Sequence, residues 1–215
     1  MTESAEFTQI QNLSTSLASL VASTAPSVTA VQSHRSRSSG FVWRPGLVVT
    51  ADEALSEDGE FAVTLSGGDT VPAKLVGRDP TTDVALLRVD RPDLQPVPLE
   101  TALVRVGALA IAVGAEDGAP TAALGIVSHS EGAWRSLRGG DIDARIELDL
   151  RLRRSAEGGL VFEAAGRAIG MTAPAGACSS YRRLPLALGE EFGFAPRFAP
   201  PIPRRLIDLV TQSPA

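Results

Sequence analysis

A chain of 215 residues, 44% hydrophobic and 21% charged, has the size and composition of one folded globular domain or two small halves. Its net charge of −5 excludes general nucleic-acid binding, which needs a basic surface to displace counterions from phosphate. Cys178 is the only cysteine, which excludes an intramolecular disulfide, and no apolar run is long enough to span a bilayer. The opening residues, Met1-Thr2-Glu3-Ser4-Ala5-Glu6, are acidic where a secretory signal is basic. Together with the lone cysteine they set the expectation of a soluble, cytoplasmic protein.

Ile10, Leu13, Leu17, Leu20 and Val21 recur at helical spacing and predict one amphipathic helix ending before Ala25-Pro26. From Ser27 the period shortens. Ser27–Ser33, Gly40–Trp43, Leu47–Thr50, Phe61–Ser66 and Thr70–Gly77 are short β-prone runs between turn residues. Ser66-Gly67-Gly68-Asp69 reads as a hairpin turn, because glycine takes positive φ without a Cβ clash. Asp83–Asp90 adds a strand, and the proline-bearing stretch Arg91–Pro98 marks a boundary between halves.

The second half repeats the style, with Ala108–Val113, Ala122–Ser128, Ala144–Asp149, Leu160–Glu163 and Ala168–Thr172 as strands. Glu131–Gly140 reads as an exposed loop carrying Trp134, Arg135 and Arg138, either a docking hot spot or a solvated loop with one anchoring aromatic. Pro203 suits a first helical turn, and Arg204 through Val210 then form a closing helix. The expected divisions are a helical segment over 1–25, a first barrel over 26–98, a second over 99–200 and the closing helix over 201–215. Many short strands with one helix before and one after predict an all-β protein.

Three stretches carry a resemblance. The first is Ser38-Ser39-Gly40-Phe41-Val42, followed by Leu47-Val48-Val49-Thr50-Ala51-Asp52-Glu53-Ala54. The second runs from Gly77-Arg78-Asp79-Pro80-Thr81-Thr82-Asp83 through Val84-Ala85-Leu86-Leu87-Arg88-Val89. The third spans Asp149 to Gly158-Gly159-Leu160-Val161, then Gly166-Arg167-Ala168-Ile169-Gly170. In this order and spacing the chain resembles the trypsin-like serine proteases of the HtrA/Deg family. The resemblance implies a chymotrypsin-type fold of two six-stranded β-barrels and no cofactor, and the PDZ domain usual in the family is not expected in this member.

That family's chemistry needs a serine nucleophile, a histidine base and an aspartate that orients the histidine. Carried over position by position, the resemblance puts Asp83 on the aspartate, Glu53 on the histidine and Glu157 on the serine. Neither His34 nor His129 lies in a motif that would place it beside Asp83. Ser155 falls on the glycine of the oxyanion hole, and Arg151 on the base of the primary specificity pocket. A carboxylate is a weak nucleophile whose acyl product would be an anhydride, so serine-type activity is not expected.

Each position has a functional and a plain structural reading. Glu53, Asp83 and Glu157 form a cation site, a proton-sharing dyad, or a group neutralised by Arg151, Arg153 and Arg154; the last is preferred, because unpaired like charges are costly. Glycosidase chemistry needs a sugar-sized cleft between its carboxylates, which nothing in the sequence suggests. Arg151 reads either as a receptor for an acidic side chain or C-terminal carboxylate, or as a plug in a disused pocket. Asp83 reads either as a surviving functional group or as a local hydrogen-bonding residue. Cys178 is expected to be an inert small residue. The N-terminal helix packs on its own barrel or on another subunit.

The leading expectation is an inactive protease homologue, a pseudoprotease that binds a protein partner as scaffold or regulator and can self-associate. The alternatives are a hydrolase or metal-binding protein using the carboxylates, and a chaperone-like module with a peptide groove between its barrels.

Overall fold

The computed structural model describes residues 2–173, apart from 35, 58, 98, 100–103, 136–140 and 143–144. The expected closing helix and Cys178 lie outside the described residues.

The predicted helix is present as α1 (Thr2–Thr24). Its apolar stripe divides between two environments. Leu17, Leu20 and Val21 pack against the buried core, whereas Phe7, Ile10 and Leu13 stay exposed. Pro26 has no N–H to continue the ladder, and a 3-10 turn over Ala25–Ser27 passes the chain into the first strand.

Six antiparallel strands then close a barrel: β1 (Val28–Ser33), β2 (Ser36–Arg44), β3 (Leu47–Thr50), β4 (Phe61–Thr64), β5 (Thr70–Asp79) and β6 (Val84–Val89). Their order is β1-β2-β3-β6-β5-β4, with β4 pairing back onto β1. Gly67 and Gly68 take φ of +97° and +96° in the β4–β5 hairpin turn, as the Ser-Gly-Gly-Asp sequence required.

The second half is built from β7 (Leu109–Glu116), β8 (Ala119–Glu131), β11 (Arg145–Asp149), β12 (Leu160–Glu163) and β13 (Ala168–Met171). Among the described residues these form one five-stranded sheet ordered β11-β8-β7-β12-β13. The architecture is the all-β, chymotrypsin-like one that the motifs implied, with one closed six-stranded barrel and, among the described residues, a five-stranded half-barrel where a second six-stranded barrel was expected. One expectation needs correction: the stretch read as a loop pairs β9 (Trp134–Arg135) with β10 (Asp141–Ile142). Two-residue strands are too short to leave a period in the sequence.

Burial is organised in three clusters. Val31, Val42, Val48, Phe61, Val63, Ala85 and Leu87 fill the first barrel. Ala110, Ala112, Val127, Ile146, Leu148, Val161 and Ile169 fill the second sheet's concave side. Between them, Val28, Phe41, Val49 and Leu86 from the first barrel meet Ile111, Val113, Leu160 and Met171 from the second, under α1. Strands β3 and β6 are thus buried on both faces, which explains their nearly unbroken apolar runs. Phe41 is 1% exposed at the centre of this shared cluster, where truncation to alanine costs about 3–5 kcal/mol.

The barrels also lock at their rims. Arg37 Nη1 contacts both carboxylate oxygens of Asp117 at 3.1 and 3.2 Å. The Gly67 N–H donates to the Gly118 carbonyl at 3.3 Å, joining the β4–β5 turn to the β7–β8 turn.

Candidate functional site

The segment after β3 carries Glu53 and is held from beneath. Asp52 is buried, and its carboxylate accepts from Arg78 Nε at 2.5 Å. The rest of the guanidinium donates to the carbonyls of Ser56 at 3.0 Å, Asp52 at 3.2 Å and Leu55 at 3.3 Å. Arginine suits this role because its planar fork reaches several acceptors at once. Glu53 itself is exposed.

The next residues of the second motif form the turn that carries Asp83. The Asp79 carboxylate accepts from the Thr81 N–H at 3.0 Å, from Thr81 Oγ1 at 2.6 Å and from Thr82 Oγ1. This aspartate-anchored turn delivers Asp83 at φ +58°, a left-handed conformation that aspartate tolerates better than most residues. Asp83 Oδ1 then accepts the Glu53 N–H at 2.7 Å, and its carbonyl accepts the Asp52 N–H at 3.3 Å. Asp83 and the backbone of Glu53 are therefore neighbours. The hydrogen bonds to backbone give Asp83 a structural role whatever else it does.

Glu157 follows a 3-10 turn over Arg154–Ala156. The segment is pinned to the first barrel through Ser39, which is fully buried. The Ser39 N–H donates to the Glu157 carbonyl at 2.6 Å, and its hydroxyl donates to the Ser155 carbonyl at 2.6 Å. Gly158 completes the junction. It has φ +82°, and a Cβ there would stand 2.2 Å from the Ser39 carbonyl oxygen, 2.7 Å from Thr50 Oγ1 and 2.8 Å from the Ala51 nitrogen. Residues 157–159 thus lie against the end of β3, so all three carboxylate positions gather at the joint between the two halves.

Arg153 pairs with Glu116 at 3.5 Å, and Arg151 is exposed. Ser155 is half-buried and has no positive φ. Among the described residues, no group of three or more His, Cys, Asp or Glu side chains could hold a metal ion, so the cation reading of the carboxylates gains no support. His34 sits in the β1–β2 turn, while His129 is on β8, 3.1 Å from Glu131. Sequence reasoning gave no role to Ser39, to the Asp52–Arg78 pair or to Thr172. A small polar residue directly before a strand glycine, as in Ser38-Ser39-Gly40, was the available signal for the first.

Comparison with known proteins is consistent with this geometry. Residues 38–171 match the model of the trypsin-like peptidase domain. This chain belongs to that family. A probable periplasmic serine endoprotease DegP-like of Brucella suis biovar 1 (strain 1330) is 35% identical over 138 residues, 62% of this chain and 26% of that protein. A namesake from Rhizobium meliloti (strain 1021) is 33% identical over 141 residues, 64% of this chain and 27% of its own length. The chain thus spans about a quarter of the length of these relatives. The crystal structure of Deg5 superposes with a TM-score of 0.68 at 26% identity, covering 80% of this chain and 89% of that one. That of Rv3671c from M. tuberculosis H37Rv, an inactive form, gives 0.65 at 23% identity over 91% and 92%, which bears on the fold alone. The family member is of the HtrA/Deg type.

One expectation is overturned by these relatives. They are named as periplasmic, so the cytoplasmic location drawn from the lone cysteine and the acidic first residues does not stand. The cysteine count never separated the two compartments, because a fold with three apolar clusters has no need of a disulfide. Among the described residues no helix is long and apolar enough to cross a membrane.

Proposed function

We propose that this trypsin-like family member is a pseudoprotease, acting by binding as a subunit, scaffold or regulator, in the periplasm as its relatives' names suggest. The observation that carries the reading is the pair of glutamates, Glu53 and Glu157, at the positions that the family's motifs assign to the base and the nucleophile. A carboxylate at 157 has no proton to give up and no stable acyl product to form. The surrounding framework is intact: Asp83 holds the backbone at 53, Arg78 clamps Asp52, and Ser39 pins the segment before Gly158. A fold maintained without its chemistry is what selection for binding leaves.

Self-association belongs to this reading. Phe7, Ile10 and Leu13 continue the stripe that Leu17 and Leu20 bury, and among the described residues they stay exposed. A second copy of the chain is the partner the exposed half of α1 would take.

The decisive assay is casein proteolysis by the purified protein, with gentle affinity capture from the host alongside it. The expected results are no cleavage and a stoichiometric partner. Cleavage that disappears on Glu157→Gln would sink the proposal. A monomer by sedimentation at micromolar concentration would remove its self-association part.

A further inference from the structure

The outer wall of the first barrel carries a row of cations that runs across its strands. Arg44 on β2 stands opposite Leu47 on β3, Leu47 opposite Arg88 on β6, and Arg88 opposite Lys74 on β5. Residues paired in register share one side of a sheet. Leu47 packs with Val49 and Leu86 in the cluster outside the barrel, whereas Val48 and Leu87 fill its interior, so the row lies on the outer face.

Lys74, the only lysine of the chain, and Arg88 are both exposed. Among the described residues neither side chain makes a hydrogen bond or an ion pair, although Glu60 stands just before β4 and Asp90 just after β6. Other exposed cations of this acidic chain are neutralised: Arg37 by Asp117, Arg153 by Glu116 and Arg167 by Glu163. Like charges set directly opposite one another on adjacent strands destabilise the sheet. Arg44 is half-buried, and its guanidinium lies 4.4 Å from the centroid of the Trp43 ring. Burial pushes its pKa down. A cation partly withdrawn from water attracts an anion more strongly than a fully solvated one.

The spacing of the row selects the shape of what it takes. Neighbouring strands are about 4.8 Å apart, which sets Arg88 about 5 Å from Lys74 and about 10 Å from Arg44. A helix laid across the strands rises about 4.5 Å in three residues and about 10.5 Å in seven. Carboxylates at i, i+3 and i+10 therefore meet Lys74, Arg88 and Arg44 in turn, and all fall within about 80° of one helix face. An extended chain repeats its side chains about 6.7 Å apart on one side and matches neither interval. A lipid surface calls for a cluster of about 4–8 basic residues, more than this row supplies on a chain of net charge −5.

Resting on the reading of this chain as a binding protein, we propose that Arg44, Arg88 and Lys74 form the docking surface for an acidic helix of a protein partner. The row leaves an electrostatic cost standing in the free protein, and the partner's carboxylates relieve it.

The test uses two fluorescein-labelled, alanine-based peptides long enough to be helical. One carries glutamates at i, i+3 and i+10; the control has the same composition with its glutamates spread around the helix. Binding to the full chain is read by anisotropy at low salt. The patterned peptide should bind, and both the control peptide and the Lys74→Ala/Arg88→Ala variant should weaken binding about fivefold or more. Lys74→Glu gives a second readout, because it turns the opposed pair into an ion pair. It should abolish binding while raising the melting temperature by roughly 1–3 °C, a rise that a merely structural lysine would not give.

Equal binding of the two peptides overturns the proposal, as does unchanged affinity in the folded double variant. A melting temperature unchanged or lowered by Lys74→Glu removes its electrostatic premise. Capture of the chain by phosphatidylglycerol vesicles without peptide binding makes the row a membrane contact and refutes it too. Casein cleavage would sink the pseudoprotease reading, whereas an inert protein that ignores the peptide sinks only the docking row, which keeps the two failures apart.

Discussion

Arg78→Ala is the perturbation that most directly tests how the region around Glu53 is held. The substitution removes four hydrogen bonds, one to the Asp52 carboxylate and three to the carbonyls of Asp52, Leu55 and Ser56. It also leaves behind a carboxylate whose side chain is only 6% exposed. Breaking a buried ion pair by deleting one partner costs about 3–5 kcal/mol, because the remaining charge stays out of water. Arg78 is 23% exposed, so truncation opens a path for water to Asp52, and the lower end, about 3 kcal/mol, applies. For a chain of this size that corresponds to a melting temperature roughly 6–12 °C lower. Urea unfolding of wild type, Arg78→Ala, Asp52→Ala and the double variant completes a cycle. The double variant should cost clearly less than the sum of the singles, since removing both partners leaves no buried charge. A loss below about 1 kcal/mol for Arg78→Ala, or strict additivity in the cycle, would refute the argument that this pair is a clamp.

Three further outcomes are expected. Gly158→Ala forces a Cβ against the Ser39 carbonyl oxygen at a φ of +82°, and should cost more than about 3 kcal/mol, read as lost soluble yield and a depressed melting temperature. Thr172→Val keeps the shape but removes the hydroxyl that bonds the Ala156 carbonyl; about 1–2 kcal/mol should be lost, with faster amide exchange across 156–159. At Glu163, burial pushes the carboxyl's pKa up. Hydrogen bonds from the Arg167 side chain and from the Ala165 and Arg167 backbone, together with the Arg167 charge, outweigh that effect and leave the pKa below the ordinary glutamate value. A depressed folded pKa stabilises above the unfolded value and is lost as pH falls through the folded one. Glu163→Gln should therefore lower stability at pH 7 by up to about 1 kcal/mol, and the gap should close as pH falls through the depressed folded pKa of Glu163.

The elements most legible in the sequence are those whose periodicity is set by one environment. Leu47–Thr50 is buried along its length and Leu160–Glu163 along all but its last residue; turn residues bound both, and both strands fall where the pattern put them. Strand β8 was read as Ala122–Ser128 but runs from Ala119 to Glu131, because its ends pair through backbone groups that any residue supplies. Leu124 and Ile126 are exposed on it, so side-chain polarity there carried no boundary. At the site, the motifs put positions 53 and 83 side by side, whereas the bond from the Glu53 N–H to Asp83 Oδ1 is a backbone contact that no side-chain pattern announces. Ser39 was invisible as a contact, because its partners at Ala115, Ser155 and Glu157 lie more than 70 residues away in the chain.

The motifs that identify the family are held by structural demands distinct from catalysis. Arg78 and Asp79 clamp one segment and fold the next, and Asp83 bonds a backbone N–H. Gly158 is required because the Ser39 carbonyl and the end of β3 approach too closely for a side chain. Gly114 meets the same constraint from the other barrel, where a Cβ would sit 2.4 Å from Ser39 Oγ and 3.1 Å from the Ala156 Cα. Each of these residues would be kept by a chain that only needs its two halves to stay joined. At 157 the carbonyl bonded to the Ser39 N–H is a backbone contact that any residue supplies. The glycines and the Arg78 clamp admit no substitute without loosening the joint. A match to the framework therefore measures the integrity of the barrel interface, and the chemistry has to be read separately, at positions 53 and 157.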